Sequence, residues 1–301
     1  MDSSSSWTIA VLGPGGVGGL LAALAARAGH RVICLAGDET AQALRRDGIQ
    51  VRSDQFGEFT AQVDADTDLR EPVDLCLITV KQTALIQAIQ RVRPDALGDG
   101  LVVPLLNGIE HAELLRRHYR PDQVAPSVIR VESTRVAPGI IEHSSPFVRI
   151  ELASSTAKRE RLEATAEMLT ATGVLTRVHD DETAILWAKM TFLAPLALLT
   201  TRYGITTGEL RDQRRDELQA LIEETAAVSS ACGAPADAEA TLQFYDTLPA
   251  GMKSSMQRDA EAGRPLELDA IGGALLRTAK RHGVAVPVTT RLVAELTDAA
   301  G

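Results

Sequence analysis

Two stretches of the sequence carry residue types whose spacing could do chemistry. The first is Gly13-Pro14-Gly15-Gly16-Val17-Gly18-Gly19, which fits GxGxxG with Gly13, Gly15 and Gly18. A glycine cluster alone is most often a turn. This one follows a short apolar run, Ile9 to Leu12, and opens an Ala/Leu-rich stretch, so it stands between a strand and a helix. There the first glycine makes a tight turn, the second lets backbone approach a pyrophosphate, and the third packs helix on strand. Phosphates would meet free N–H groups at the helix N-terminus, where the macrodipole also favours negative charge. The motif points to a bound dinucleotide, with Gly13, Gly15, Gly16, Val17 and Gly18 around it. The kind of dinucleotide depends on the end of the next strand, where an acid suits a ribose 2′-hydroxyl and an arginine suits a 2′-phosphate. That corner reads Cys34-Leu35-Ala36-Gly37-Asp38-Glu39-Thr40, a mixed signal.

The second stretch is Leu186-Trp187-Ala188-Lys189-Met190, in an apolar run ending at Leu199. A lysine there is costly to bury unless it is paired or functional, and it can also snorkel to the surface. The pattern leaves both readings open. Further on, Ser254-Ser255-Met256 is followed by Asp259, Gly263, Arg264, Pro265, Glu267 and Asp269, each of which alone reads as a cap or a solvated face.

These residues need elements to hold them. Residues 17–28 read as a helix with Gly29 as its stop, and Arg31 to Leu35 as a second strand. Residues 74–79 and 101–105 read as further strands with a helix over 83–92 between them, which predicts a parallel, doubly wound sheet. Residues 124–152 turn β-rich, with Pro138-Gly139 and Ser145-Pro146 expected to be hairpin turns closing the sheet, and a helix over 158–172 follows. Beyond Asp180 the pattern is helical, over 182–199, 208–232, 236–247, 266–282 and 289–299. The expected fold is α/β: a Rossmann-type dinucleotide-binding domain over residues 1–180, its first six residues a loose tail, and an all-helical domain over 181–301, with the active site between them.

Composition narrows the partners. At 301 residues, with 45% hydrophobic and 24% charged, the chain suits two ordinary domains with real cores. A formal net charge of −9 argues against a general nucleic-acid or anionic-membrane surface. The start lacks a basic n-region and an apolar h-region, and no stretch reads as the 18 or so apolar residues of a membrane span. Cys34, Cys76 and Cys232 lie far apart without metal-ligand spacing and read as buried small hydrophobes in a reducing, cytoplasmic compartment.

Taken together, the motifs resemble the ketopantoate reductase family, NADPH-dependent enzymes that reduce a 2-keto acid to its 2-hydroxy acid in pantothenate synthesis. The resemblance covers nearly the whole chain. It rests on GPGGVGG, ITVK (Ile78 to Lys81), LLNG (Leu105 to Gly108), LWAK (Leu186 to Lys189), TGEL (Thr207 to Leu210), the run Ser254 to Gly273, and HGVAVP (His282 to Pro287). It implies that Lys189 is the general acid and that Asn107 holds the nicotinamide amide or that lysine. It further implies that Glu267 accepts a hydrogen bond from the substrate hydroxyl, that Ser255 meets the carboxylate, and that Lys81 faces the adenosine phosphate. The family's arginine after the second strand aligns with Gly37, which leaves a 2′-phosphate to Lys81, Arg45 or Arg46, with NADPH favoured and NADH the alternative. Substrate-gripping asparagines of the family align with Leu193, Ala197, Met252 and Thr207, so a small carbonyl substrate less polar than ketopantoate is expected. Imine reduction and a non-catalytic nucleotide-binding module are the competing readings. Lys189 suits the first poorly, because a cation repels a developing iminium. A homodimer is the candidate assembly.

Overall fold

The computed structural model describes residues 6–300, and the serine tail expected at the start lies outside them except for Ser6. The chain divides into two units, the first running to Leu106 and resuming over His111–Glu182, the second made of Asn107–Glu110 and the chain from Thr183 onward.

In the first unit β1 (Thr8–Leu12), α1 (Gly16–Arg27), β2 (Arg31–Leu35), α2 (Asp38–Asp47), β3 (Ile49–Ser53), β4 (Gly57–Ala61), β5 (Asp64–Asp66) and β6 (Leu75–Ile78) come in turn. A parallel sheet has the order β5-β2-β1-β6-β7, its last strand β7 being Leu101–Pro104. Leu12 is in register with both Leu35 and Ile78, so these strands end level, at the edge where the glycine turn begins. β6 and β7 are apolar throughout, and β1 and β2 after their first residues, because both faces of the sheet are covered there. Ile9, Val11, Cys34 and Leu77 enter one core cluster, while Ala10, Leu12, Leu35 and Ile78 enter another. Burial pushes the Cys34 and Cys76 thiols up to about 12, which makes them inert packing groups.

Between β6 and β7 the helix expected over 83–92 is broken. Only α3 (Leu85–Ala88) is α-helical, flanked by 3₁₀ turns, and the short α4 (Pro94–Leu97) follows. After α5 (His111–His118) come β8 (Ser127–Arg130), β9 (Ser133–Ala137), β10 (Ile140–His143), β11 (Arg149–Leu152), α6 (Arg159–Ala171) and β12 (Leu175–Val178). Pro138-Gly139 turns an antiparallel β9–β10 hairpin as expected. Ser145-Pro146 does not turn a hairpin; it carries the chain into a separate sheet of order β12-β11-β8. The hairpin joins β3 and β4 in a sheet of order β4-β3-β10-β9, which packs on α1. Covered in this way, α1 is buried from Gly18 through Ala25, and its sequence is apolar on all sides.

The second unit is helical: α7 (Glu182–Tyr203, its first residue counted with the first unit), α8 (Thr207–Gln213), α9 (Arg215–Ala231), α10 (Ala238–Thr247), α11 (Ser255–Glu261), α12 (Ala274–His282) and α13 (Pro287–Ala300). The helix expected over 208–232 breaks at Arg214, and a π turn over Asp269–Gly273 leads into α12. By length and composition α7 is long and apolar enough to cross a membrane, which corrects the sequence reading, and 72% of its apolar window is buried inside the structure. Lys189 and Arg202 interrupt the apolar run without lowering its average below that of a span. The core helix of a water-soluble domain passes the same test. Cys232 also departs from expectation, being only half-buried, with its Sγ 3.7 Å from His282 Nε2.

Candidate active site

The glycine turn is built by steric necessity at some positions and by open space at another. Gly13 has φ +85, a left-handed conformation, and a Cβ there would lie 2.5 Å from Val80 Cγ1. At Gly18 a Cβ would meet Thr79 Oγ1 at 2.2 Å and Gly13 O at 2.6 Å, and at Gly16 it would meet Ser133 O at 2.2 Å. These glycines let α1 sit tightly on its neighbours. Gly15 differs. The nearest atom to a Cβ there is Gly13 O at 3.9 Å, so no packing demand of the protein excludes a side chain. Gly15 is the N-cap of α1, has no side-chain capping bond, and no acid lies in the first turn. The first N–H groups of α1 therefore face the space beside Gly15 without an acceptor of their own, a cradle suited to a phosphate. Thr79 Oγ1 fixes the turn by donating to Gly13 O at 2.8 Å, and Ser133 Oγ fixes the helix start by donating to Gly16 O at 2.8 Å. Thr79 lies within the ITVK stretch; nothing in the sequence singles out Ser133. Val17 is the second residue of α1, and Lys81 is exposed just beyond β6.

In the second unit, Asn107 Nδ2 donates to Glu267 Oε2 at 3.0 Å, across 160 residues of sequence. Glu267 is buried, so its carboxylate is held where burial makes an unmatched charge expensive. The Asn107–Glu110 loop is clamped to the start of α12. Arg277 bridges Glu110 at 2.7 Å and Asp269 at 2.6 Å, and at Gly108 a Cβ would lie 2.6 Å from Ala270 O. Lys189 lies in the second turn of α7, half-buried, between the buried Trp187 and Met190. Ser255 is exposed at the first position of α11, while Ser254 is the N-cap, accepting from Gln257 N at 3.0 Å and bonded to Thr200 Oγ1 at 2.8 Å. The adjacent serines therefore have different tasks, one structural and one open.

Of the four positions expected to line the substrate, Leu193 and Met252 are partly buried against the helical core. Ala197 is 1% exposed and packed within that core. Thr207 is fully buried, and its hydroxyl donates to Met252 O at 2.9 Å. Arg45 and Arg46, named as partners for a 2′-phosphate, sit in the last turn of α2, about 12 Å along the helix from Gly37. Arg46 is paired there with Asp47 at 2.7 Å.

Residues 9–155 match the family described as "Ketopantoate reductase PanE/ApbA", and residues 181–300 match "Ketopantoate reductase PanE/ApbA C terminal". The chain is 29% identical over 293 residues to "Uncharacterized oxidoreductase YkpB" of Bacillus subtilis (strain 168), covering 95% of this chain and 96% of that one. It is 29% identical over 297 residues to "2-dehydropantoate 2-reductase" of Mycobacterium tuberculosis (strain H37Rv), with 95% of each covered. Among solved structures, 2-dehydropantoate 2-reductase from Geobacter metallireducens is similar with a TM-score of 0.89 at 27% identity, covering 97% of this chain and 99% of that one. The two matched segments together span most of the sequence and take in both the glycine turn and the unit that holds Lys189, Asn107 and Glu267; the chain is an oxidoreductase that belongs to the ketopantoate reductase family.

Proposed function

We propose that the protein reduces the carbonyl of a small 2-keto acid, or of a related and less polar carbonyl compound, to a hydroxyl group. The observation that carries this reading is the open position at Gly15 on an uncapped helix N-terminus free of acids, in a chain of this family. Gly13, Gly15, Gly16, Val17 and Gly18 would hold the pyrophosphate of a nicotinamide dinucleotide, NADPH ahead of NADH, with Lys81 toward the adenosine phosphate. When bound, the reduced nicotinamide supplies a hydride.

The chain's own residues do the rest. As the carbonyl carbon gains the hydride, the C=O π pair moves onto oxygen. The Lys189 ammonium, aimed at that oxygen, stabilises the charge and gives it a proton, leaving a hydroxyl and a neutral amine. Glu267 accepts a hydrogen bond from the new hydroxyl and is held in place by Asn107. Ser255 donates to the substrate carboxylate. An ammonium also tells against imine reduction, since the electrophile there is itself cationic.

Leu193 and Met252 give the substrate an apolar wall, which favours hydrocarbon by roughly 0.8 kcal/mol per buried methylene. In an assay of cofactor oxidation against 2-keto acids, aldehydes and ketones, a carbonyl compound with a larger, less hydroxylated side chain is expected to show a higher kcat/KM than ketopantoate. Leu193→Asn combined with Met252→Asn should raise kcat/KM for ketopantoate, because each amide restores donors and acceptors to the wall. Ala197→Asn should instead lower the melting temperature, since an amide placed in that core costs about 1–3 kcal/mol. Ketopantoate emerging as the best substrate of the unaltered protein would refute the apolar-wall reading.

A further inference from the structure

The corner after β2 has Gly37 where the family places an arginine, with Asp38 and Glu39 just beyond it, yet a guanidinium stands there. Arg91, at the end of the 3₁₀ turn Ile89–Arg91, reaches the residues that follow β2 and β5. Its Nη1 donates to Ala36 O at 2.6 Å and, more weakly, to Thr67 O at 3.4 Å. Its own carbonyl accepts from Leu69 N at 2.8 Å, which fixes the backbone that carries it. Ala36 directly follows β2, and Gly37 is the N-cap of α2, with no side-chain capping bond. The guanidinium thus sits against the peptide unit where a dinucleotide's adenosine ribose is read in folds of this kind.

The state of its charge matters as much as its place. Arg70 is neutralised by Asp66 at 2.8 Å, and Arg46 by Asp47. Among the described residues Arg91 has no carboxylate partner; it is held by two carbonyl groups alone. A guanidinium has five N–H donors, and those bonds occupy only Nη1, so the donors on Nε and Nη2 remain for an anion. The carbonyl bonds hold the planar group in one orientation before any ligand arrives, which reduces the entropy lost on binding.

We infer that Arg91 recognises the 2′-phosphate of a 2′-phosphorylated adenosine and so sets the preference for NADPH over NADH. This rests on the dinucleotide reading of the glycine turn. Asp38 and Glu39 are exposed in the first turn of α2 and oppose a phosphate, so the preference is expected to be modest.

The test is a fluorescence titration of the whole protein with NADPH and with NADH. The unaltered protein should bind NADPH more tightly. Arg91→Ala should weaken NADPH roughly tenfold, the scale of one charge-assisted hydrogen bond, while NADH changes less than about twofold. Arg91→Gln keeps a polar side chain with N–H donors but no charge. It should show the same selective loss, so the result does not depend on Arg91→Ala folding. If both dinucleotides bind but the variants weaken them equally, or leave NADPH unchanged, or if the unaltered protein prefers NADH, the role of Arg91 is overturned and the glycine-turn reading stands. Binding of neither dinucleotide to the unaltered protein overturns both.

Discussion

Lys189→Ala lowers kcat by roughly 10²- to 10⁴-fold, the usual contribution of a positioned proton donor, with little change in dinucleotide affinity. Two features separate this loss from a folding defect. Lys189 is half-buried on a helix whose core contacts come from Trp187, Met190, Ala194 and Leu198, and alanine is the better helix former. The melting temperature is therefore expected to stay near that of the unaltered protein. A small primary amine added to the assay should also restore part of the activity, because the truncated side chain leaves room for an external ammonium. Steady-state kinetics with and without the amine make the check. A variant that turns over normally would make Lys189 a surface lysine whose stem packs on the helix.

Gly15→Asp abolishes dinucleotide binding while leaving the fold intact. A carboxylate about 4 Å from a phosphate, at an effective dielectric constant of about 20, is repelled by about 4 kcal/mol, close to a thousandfold in affinity before any steric clash is counted. The protein itself has space for the substitution, since nothing but Gly13 O approaches a Cβ at Gly15. Gly18→Ala is the contrasting control. Its Cβ would meet Thr79 Oγ1 and the Gly13 carbonyl, so it should destabilise the fold by about 1–3 kcal/mol. Thermal melts beside the titrations separate the two effects. Undiminished affinity in Gly15→Asp would reduce the glycines to a packing turn.

Some of this architecture was legible in the sequence because the signals were local. β2 spans Arg31–Leu35 as read, and α1 starts one residue earlier than read, since an apolar strand, a glycine turn and an Ala/Leu helix each leave a strong short-range pattern. The helix α2 was not legible. Its sequence DETAQALRRD buries only Ala41 and Leu44, too few apolar positions to mark a helical face. The break at Arg214 lies in a polar Gln-Arg-Arg-Asp stretch with no glycine or proline to announce it. The separate sheet after Ser145 depends on β8, β11 and β12 finding one another across tens of residues.

The candidate site divides in the same way. The glycines announce themselves by pattern, while the pattern around Lys189 leaves a functional lysine and a surface lysine both open. Asn107 and Glu267 are ordinary residues until the fold brings them within 3.0 Å, and only the family resemblance pointed to them beforehand. Arg91 carries no mark in the sequence because it lies 55 residues from the carbonyl that orients it, whereas Arg45 and Arg46 are close to Gly37 in sequence but at the far end of α2.

Isotope transfer distinguishes hydride delivery to a carbonyl carbon from every other use of the dinucleotide. NADPH carrying deuterium at its transferable position would be incubated with the best 2-keto acid of the substrate panel, and the product analysed by mass spectrometry and NMR. The expected product is a 2-hydroxy acid with deuterium on the former carbonyl carbon, formed in step with cofactor oxidation. Cofactor left unoxidised with every carbonyl compound tested, or a product whose new C–H comes from solvent, would contradict it.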